Sequence, residues 1–251
     1  MRELGAVYLD VRARIVDLVL DGDSSARVPA CPDWSVHDVV AHLTGIPADI
    51  LAGNLADNAT EAWTRAQVET RRAKPIEAVV AEWADVGFRM AELMDDFPGR
   101  TAEQLIADIS THEHDIRGGL GIPGARASAA VMIGVDFVAT TFLHVGLAAL
   151  GAGPLEIRSG ECTWIVGTGG EVISNPEDVV HEVVWEGRSL TARSKVPTGA
   201  LTVDPFELFR AMTGRRSPAQ IRSYSWSVDP DPFVPAFGFG PFTPRNTELV
   251  E

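Results

Sequence analysis

The 251-residue sequence contains only two cysteines, Cys31 and Cys162, and they lie far apart. Proteins that depend on a disulfide scaffold carry many more cysteines for their length, so we expect a reducing, cytoplasmic location. The chain also lacks an uninterrupted run of 18 apolar residues, and charged residues are spread through residues 1–20. These two features argue against a membrane-spanning helix and against a signal peptide.

Basic residues are scarce relative to acidic ones. The chain has 21 lysines and arginines against 35 aspartates and glutamates, which gives a formal net charge of -14. This charge repels phosphate backbones and anionic lipids, and no local basic patch offsets it. We therefore expect neither nucleic acid nor a membrane as a partner. The 45% hydrophobic composition is that of a globular protein able to bury a core.

Two motifs with well-understood chemistry are absent. The sequence has no G-x-S-x-G turn, which would present a nucleophilic serine, and no G-x-x-x-x-G-K-[ST] loop, which would bind phosphates. The glycines at 167–170 are instead typical of a turn between strands. Serine hydrolase chemistry and P-loop nucleotide binding are therefore disfavoured.

Hydrophobic spacing predicts that the N-terminal part of the chain is helical. Apolar residues recur at intervals of three and four in residues 4–19, 36–51 and 127–150. A polar-rich stretch at 60–97 and the segment 101–118 are also predicted to be helical. Ser35 with Asp38 predicts a capping box at the start of one helix, and Thr101 with Gln104 predicts another. Pro75 should interrupt the longest segment, because proline lacks the backbone donor that a helix interior needs.

The predicted secondary structure changes from helix to strand after residues 151–154, which are rich in glycine. Short β-rich segments follow at 155–157, 162–166, 182–185 and 189–192. Asp204 and Ser217 are each followed by proline, a pattern that predicts the starts of two short helices. We predict an α+β protein with an up-down helical bundle in residues 1–150 and a smaller α+β domain in residues 151–251.

The densest group of polar residues is D-I-S-T-H-E-H-D at positions 108–115. On a helix, Asp108, His112 and Asp115 share one face. A carboxylate and an imidazole four residues apart can reach one divalent ion, and His42 on an earlier helix is the candidate third ligand. Two histidines and one carboxylate leave coordination positions open, as in catalytic rather than structural metal sites.

Each of these residues also has a structural interpretation. A single helical histidine such as His42 is more often a packed core or surface residue than a metal ligand, and a run such as that at 112–115 is usually a solvated helix face. Asp115 could pair with an arginine, or it could hold the second ring nitrogen of His112. Cys31 lies between two prolines, which favours a buried loop thiol over a nucleophile.

The sequence at 214–217, Gly-Arg-Arg-Ser, is the one concentration of positive charge in the predicted second domain. Guanidinium groups bind carboxylates through two parallel hydrogen bonds. Arg215 and Arg216 are therefore candidates for binding an anionic ligand, and salt bridges within the protein are the alternative.

Two of these segments resemble a known family. The sequences V-P-A-C-P-D-W-S-V-H-D-V-V-A-H-L at 28–43 and D-I-S-T-H-E-H-D-I-R-G-G-L-G at 108–121 are similar to those of the mycothiol-dependent maleylpyruvate isomerase family. That family is a branch of the DinB-like metal-binding four-helix bundles. The segment F-E-L-F-R-A-M-T-G-R-R-S at 206–217 resembles its C-terminal, SCP2-like domain. The resemblance thus covers nearly the whole chain.

The resemblance implies a divalent metal, usually zinc, held by His42, Asp108 and His112. Asp108 stands where the family has a glutamate. It also implies mycothiol as a cofactor, whose metal-bound thiol would be held as the thiolate. Addition of that thiolate to a double bond conjugated to a carbonyl, followed by rotation and expulsion, would isomerise the substrate. Arg215 or Arg216 would hold the substrate carboxylates.

The function expected from this resemblance is a metal- and mycothiol-dependent isomerase or S-transferase that acts on a small electrophile. The alternative is a noncatalytic DinB-like protein that binds a metal or a small molecule. The sequence identifies neither the physiological electrophile nor the oligomeric state.

Overall fold

The structure is a computed structural model that describes residues 3–56, 58–168, 172–174, 180–181, 184–185, 188–189, 196–239 and 242–251. The chain forms two compact units, which are residues 1–125 together with Glu251, and residues 126–250. The first unit is helical and the second is α+β, so the predicted fold class is confirmed.

The first unit is a helical bundle with one short hairpin. Its helices are α1 (Glu3–Asp21), α2 (Val36–Ala52), α3 (Glu61–Arg71), α4 (Ile76–Leu93) and α5 (Thr101–Leu120). A 3₁₀ turn, Met94–Asp96, follows α4, and the hairpin pairs β1 (Arg27–Val28) with β2 (Cys31–Ser35) in antiparallel register. Helix α1 packs against α4 and α5, and α2 packs against α3, α4 and α5. The core between them includes Val11, Ile15, Val39, Leu43, Trp83, Ile106 and Ile109.

The helix ends test the predicted capping motifs. The capping box at the start of α2 is confirmed, since Asp38 N donates to Ser35 Oγ and Ser35 N donates to the Asp38 carboxylate. The capping box predicted at Thr101 is wrong. Thr101 lies inside the first turn of α5, and its hydroxyl donates to the Pro98 carbonyl instead. The predicted interruption at Pro75 is confirmed, because α3 and α4 are separate helices.

The second unit combines helices with a six-stranded sheet. The helical segments are α6 (Ala129–Val138), a π-helical turn (Ala139–Leu143), α7 (His144–Leu150), α8 (Pro205–Met212), α9 (Pro218–Arg222) and a 3₁₀ helix (Val234–Gly238). The strands are β3 (Leu155–Ser159), β4 (Cys162–Val166), β5 (Val172–Ser174), β6 (Val180–His181), β7 (Val184–Trp185), β8 (Arg188–Ser189), β9 (Gly199–Thr202) and β10 (Ser225–Trp226). The sheet order is β10-β9-β3-β4-β5-β6, in which only β3 and β9 are parallel among the described pairs, and β7 pairs with β8 separately.

Local sequence signals in the second unit are largely confirmed. Asp204 accepts hydrogen bonds from two backbone amides at the start of α8, and Ser217 forms a capping box with Gln220 at the start of α9. The strands predicted at 155–157 and 162–166 are present as β3 and β4. The strands predicted at 182–185 and 189–192 fall partly outside the described residues.

The helical segment Ala129–Leu150 lies in the second unit, whereas its helical spacing and the glycines at 151–154 predict that it is part of the bundle, with a domain limit at residue 150. The reason is packing, since α6 contacts α8 and α7 contacts β4. This segment is also the one stretch of the described chain long and apolar enough to span a membrane. Because 78% of its most apolar window is buried within the fold, it has the character of a core helix.

Candidate metal centre

His42 lies on the buried face of α2. The capping box at Ser35 fixes where this helix begins, and the apolar neighbours Val39 and Leu43 anchor the same turns in the core of the unit. The His42 side chain is itself buried. A buried imidazole is held in one place by its surroundings, and its hydrogen bonds decide which ring nitrogen is available as a ligand.

Helix α5 places Asp108 and His112 one turn apart, and both lie near His42. His112 Nε2 is 3.8 Å from Asp108 Oδ1, and the ring centroids of His42 and His112 are 5.2 Å apart. One ligand atom from each of the three residues lies within 4.8 Å of the other two. The structure thus brings together the three residues nominated from the sequence, whose role as metal ligands stays a prediction.

A chain of hydrogen bonds fixes the tautomer of His42. Gln67 Nε2 donates to Asp49 Oδ2 at 2.7 Å, and Gln67 Oε1 lies 2.8 Å from His42 Nδ1. Because a carboxylate only accepts, Asp49 holds the Gln67 amide with its oxygen directed toward the imidazole. His42 must therefore donate from Nδ1, which leaves the lone pair on Nε2 free for a ligand bond.

The charge state of His42 suits the same role. Burial lowers the pKa of His42 to about 4, and the nearby Asp108 carboxylate opposes this shift without cancelling it. The ring is therefore neutral at neutral pH, which is the form that binds metals. A cation can bind Nε2 without first displacing a proton from it.

His112 is oriented in the same way by Asp115. His112 Nδ1 lies 3.0 Å from Asp115 Oδ2, and the Asp115 carboxylate is fully buried. The carboxylate accepts the Nδ1 proton, which leaves the Nε2 lone pair on the side of Asp108. Of the two interpretations of Asp115 that the sequence left open, the structure shows the one in which it holds the second nitrogen of His112.

Trp34 packs on both imidazoles. Its ring stacks on His112 with centroids 6.2 Å apart and planes inclined by 20°, and it meets His42 at 64° with centroids 5.4 Å apart. The indole is half-buried and immediately precedes the N-cap of α2. Such contacts restrict the rotation of both histidine rings and supply an apolar wall beside their nitrogens.

Residues 9–117 match the family model of the mycothiol maleylpyruvate isomerase N-terminal domain, and the match contains His42, Asp108 and His112. Residues 9–117, which make up less than half of the chain, are therefore similar to this domain family. No curated protein and no solved structure matched the chain.

The similarity to the mycothiol maleylpyruvate isomerase N-terminal domain is confined to the first unit. The family match ends before the second unit. The similarity of residues 206–217 to an SCP2-like domain therefore stays a prediction.

Arg215 and Arg216 have partners within the second unit. Arg216 donates from Nε and Nη2 to the Glu207 carboxylate at 2.7 and 2.8 Å, and from Nη1 to the Arg215 carbonyl at 2.9 Å. Arg215 donates to the Thr213 carbonyl, and its guanidinium lies 5.7 Å from the ring centroid of Phe242. The salt-bridge alternative thus describes Arg216 in this structure. Substrate binding by either arginine stays a prediction.

Sequence reasoning missed Gln67, Asp49 and Trp34. Gln67 lies in α3, a polar helix in which nothing marks one glutamine above the rest. A usable signal existed for Asp49, which follows His42 by seven residues and so shares its helix face. Trp34 stood inside the motif at 28–43, but sequence alone does not show that its ring contacts both histidines.

Replacing Gln67 with leucine should weaken zinc binding by roughly 10 to 100-fold. Leucine is close to glutamine in size but cannot accept the Nδ1 proton of His42, so the tautomer that exposes Nε2 is no longer favoured. A competition titration against a chromophoric chelator measures the change. The matched control is Gln104→Leu, the same substitution at an exposed glutamine on α5. Equal zinc affinities for the two variants would contradict this role of Gln67.

Gly45 provides the space in which Gln67 lies against α2. A Cβ atom at position 45 would be 2.5 Å from both Cβ and Cγ of Gln67, which is closer than such atoms approach. Gly45→Ala should therefore displace Gln67, and nitrogen NMR of the metal-free protein should show that His42 loses its preference for the Nδ1 proton. Gly118→Ala is the control, because a Cβ atom there meets only one atom, at 3.8 Å. An unchanged His42 tautomer in Gly45→Ala would refute the argument.

Proposed function

We propose that the protein is a cytoplasmic, metal- and mycothiol-dependent isomerase or S-transferase that acts on a small electrophile. The observation that supports the proposal most directly is the juxtaposition of His42, Asp108 and His112, with both imidazoles held so that Nε2 is available. This arrangement lies inside a domain whose family is associated with mycothiol.

The donor set fits a divalent transition metal. Two imidazoles and one carboxylate are ligands that zinc binds readily, and three protein ligands leave at least one position for an exogenous ligand. The Asp108 side chain is 30% exposed, so solvent reaches the cluster from its side. When bound, a zinc ion supplies a position for a thiol and lowers the pKa of that thiol.

The residues around the cluster contribute orientation and a partly apolar environment. Gln67 and Asp115 each hold one imidazole by its Nδ1 atom, and Trp34 covers a face of the ring of His112. Asp108 has a shorter side chain than the glutamate expected from the resemblance, so its carboxylate stays close to α5. This set of fixed groups is suited to binding one small cation and one thiol.

The alternative is a noncatalytic metal- or small-molecule-binding protein. The ion pair of Arg216 favours this alternative. Arg216 is a candidate for binding the substrate carboxylates, but it already donates two hydrogen bonds to the Glu207 carboxylate. A substrate carboxylate would have to compete with that ion pair.

Cobalt substitution separates the two functions. The protein is loaded with Co²⁺, mycothiol is added, and the visible spectrum is recorded before a panel of electrophiles, including maleylpyruvate, is tested for turnover. The proposal predicts a spectral change typical of thiolate coordination, followed by turnover that requires both metal and mycothiol and is lost in His42→Ala. A bound metal without a response to mycothiol and without turnover would support the noncatalytic alternative.

A further inference from the structure

A second set of donor atoms lies beside the first. One atom each from Cys31, His112 and Asp115 lies within 4.8 Å of the other two. Cys31 Sγ is 3.7 Å from Asp115 Oδ2, and that same oxygen is 3.0 Å from His112 Nδ1. The set therefore contains a sulfur, a nitrogen and an oxygen donor, and it shares only His112 with the set described above.

The fold holds the Cys31 thiol in this position. Cys31 is the first residue of β2 and pairs with Val28 of β1, whose side chain is fully buried. The β1 strand packs against α5, the helix that carries His112 and Asp115. Cys31 is half-buried, so an ion can reach its sulfur from solvent while the other two side chains anchor the site from within.

The spacing and the donor types match a particular class of ion. Ligand atoms around a tetrahedral ion with bonds of about 2.0 to 2.3 Å are about 3.3 to 3.8 Å apart, so separations of 3.0 and 3.7 Å need only small adjustments. A thiolate ligand selects soft cations. We propose that Cys31, His112 and Asp115 form a second cation site that takes a thiophilic ion, of which Cd²⁺ is the test case.

The two sites exclude one another because they use opposite nitrogens of His112. The first uses Nε2, which lies near Asp108, and the second uses Nδ1, which lies near Asp115. A neutral imidazole has a lone pair on only one nitrogen. Binding at the second site moves the His112 proton from Nδ1 to Nε2 and releases the Cys31 thiol proton to solvent. A thiophilic ion at the second site therefore blocks the first.

Cadmium titration tests the second site independently of the proposed reaction. The experiment uses the Cys162→Ser background, which leaves Cys31 as the only thiol, and contains no added mycothiol. Cd²⁺ should produce thiolate-to-metal charge-transfer absorption at one equivalent. This absorption should persist in His42→Ala, which removes a ligand of the first site only, and it should disappear in Cys31→Ser and in His112→Ala.

Alkylation of the unmodified chain covers the case in which a variant fails to fold. Cd²⁺ should protect Cys31 from iodoacetamide, while Cys162 serves as the internal reference in the same mass spectrum. Absence of charge-transfer absorption together with unprotected Cys31 would overturn the proposal, and so would loss of the absorption in a folded His42→Ala variant. A chain that binds Cd²⁺ through Cys31 but shows no mycothiol-dependent turnover would refute the proposed function alone.

Discussion

Replacing Glu113 with alanine is expected to lower the free energy of unfolding of the metal-free protein by about 3 kcal/mol. The fully buried Glu113 carboxylate accepts hydrogen bonds from Arg14 at 2.9 and 2.7 Å and from Arg117 at 3.0 and 2.8 Å. Burial by itself raises the pKa of Glu113, but the two arginines outweigh it and hold that pKa below its ordinary value. The variant leaves two largely buried guanidinium groups without this shared acceptor.

Urea denaturation followed by circular dichroism measures this loss. The control is Glu61→Ala, which removes the acceptor of an exposed ion pair with Arg65 and should cost less than about 1 kcal/mol. The difference between the variants measures what burial and the second arginine partner add to a glutamate–arginine ion pair. Equal losses of unfolding free energy in the two variants would show that the hydrogen bonds from Arg14 and Arg117 to Glu113 do not stabilise the packing of α1 against α5.

The second large effect is expected for His112→Ala, which should abolish zinc binding. The remaining His42 and Asp108 are a poor chelate, and the alternative set around Cys31 loses its nitrogen donor as well. The loss of zinc affinity should exceed the roughly 10 to 100-fold loss expected on replacing a residue that only orients a metal ligand. Elemental mass spectrometry of the variant after dialysis against zinc gives the bound equivalents.

His37→Ala is the matched control for this experiment. His37 also lies on α2, but its ring contacts the Lys74 carbonyl through Nε2 at 2.9 Å and does not take part in either donor set. This variant should keep a full equivalent of zinc. If His112→Ala also retained one equivalent of zinc, then His42, Asp108 and His112 would not form the zinc site.

The parts of the site that could be predicted from sequence are those encoded by local periodicity. Ser35 with Asp38 specified the start of α2, and the spacing of Asp108, His112 and Asp115 placed them on one face of α5. Predicting that this face of α5 lies near His42 also requires the assumption that α2 and α5 are neighbours in the bundle. Local rules failed at Thr101, because the preceding Pro98 carbonyl competes for its hydroxyl.

The contacts that could not be predicted join elements distant in sequence. Gln67 reaches His42 because α3 packs against α2 at Gly45, and Cys31 reaches Asp115 because the hairpin packs against α5. No periodic pattern encodes such contacts. For the same reason, the apolar spacing of residues 127–150 predicts a helix but does not indicate which compact unit the helix packs in.

X-ray absorption at the zinc edge, recorded on protein reconstituted with zinc and free of added thiol, identifies the atoms that bind the ion. We expect one zinc per chain with two imidazole ligands and oxygen donors, at about 2.0 to 2.2 Å, and no sulfur. Failure to bind zinc, or a coordination shell that contains sulfur at about 2.3 Å, would contradict the assignment of His42, Asp108 and His112 as the zinc ligands.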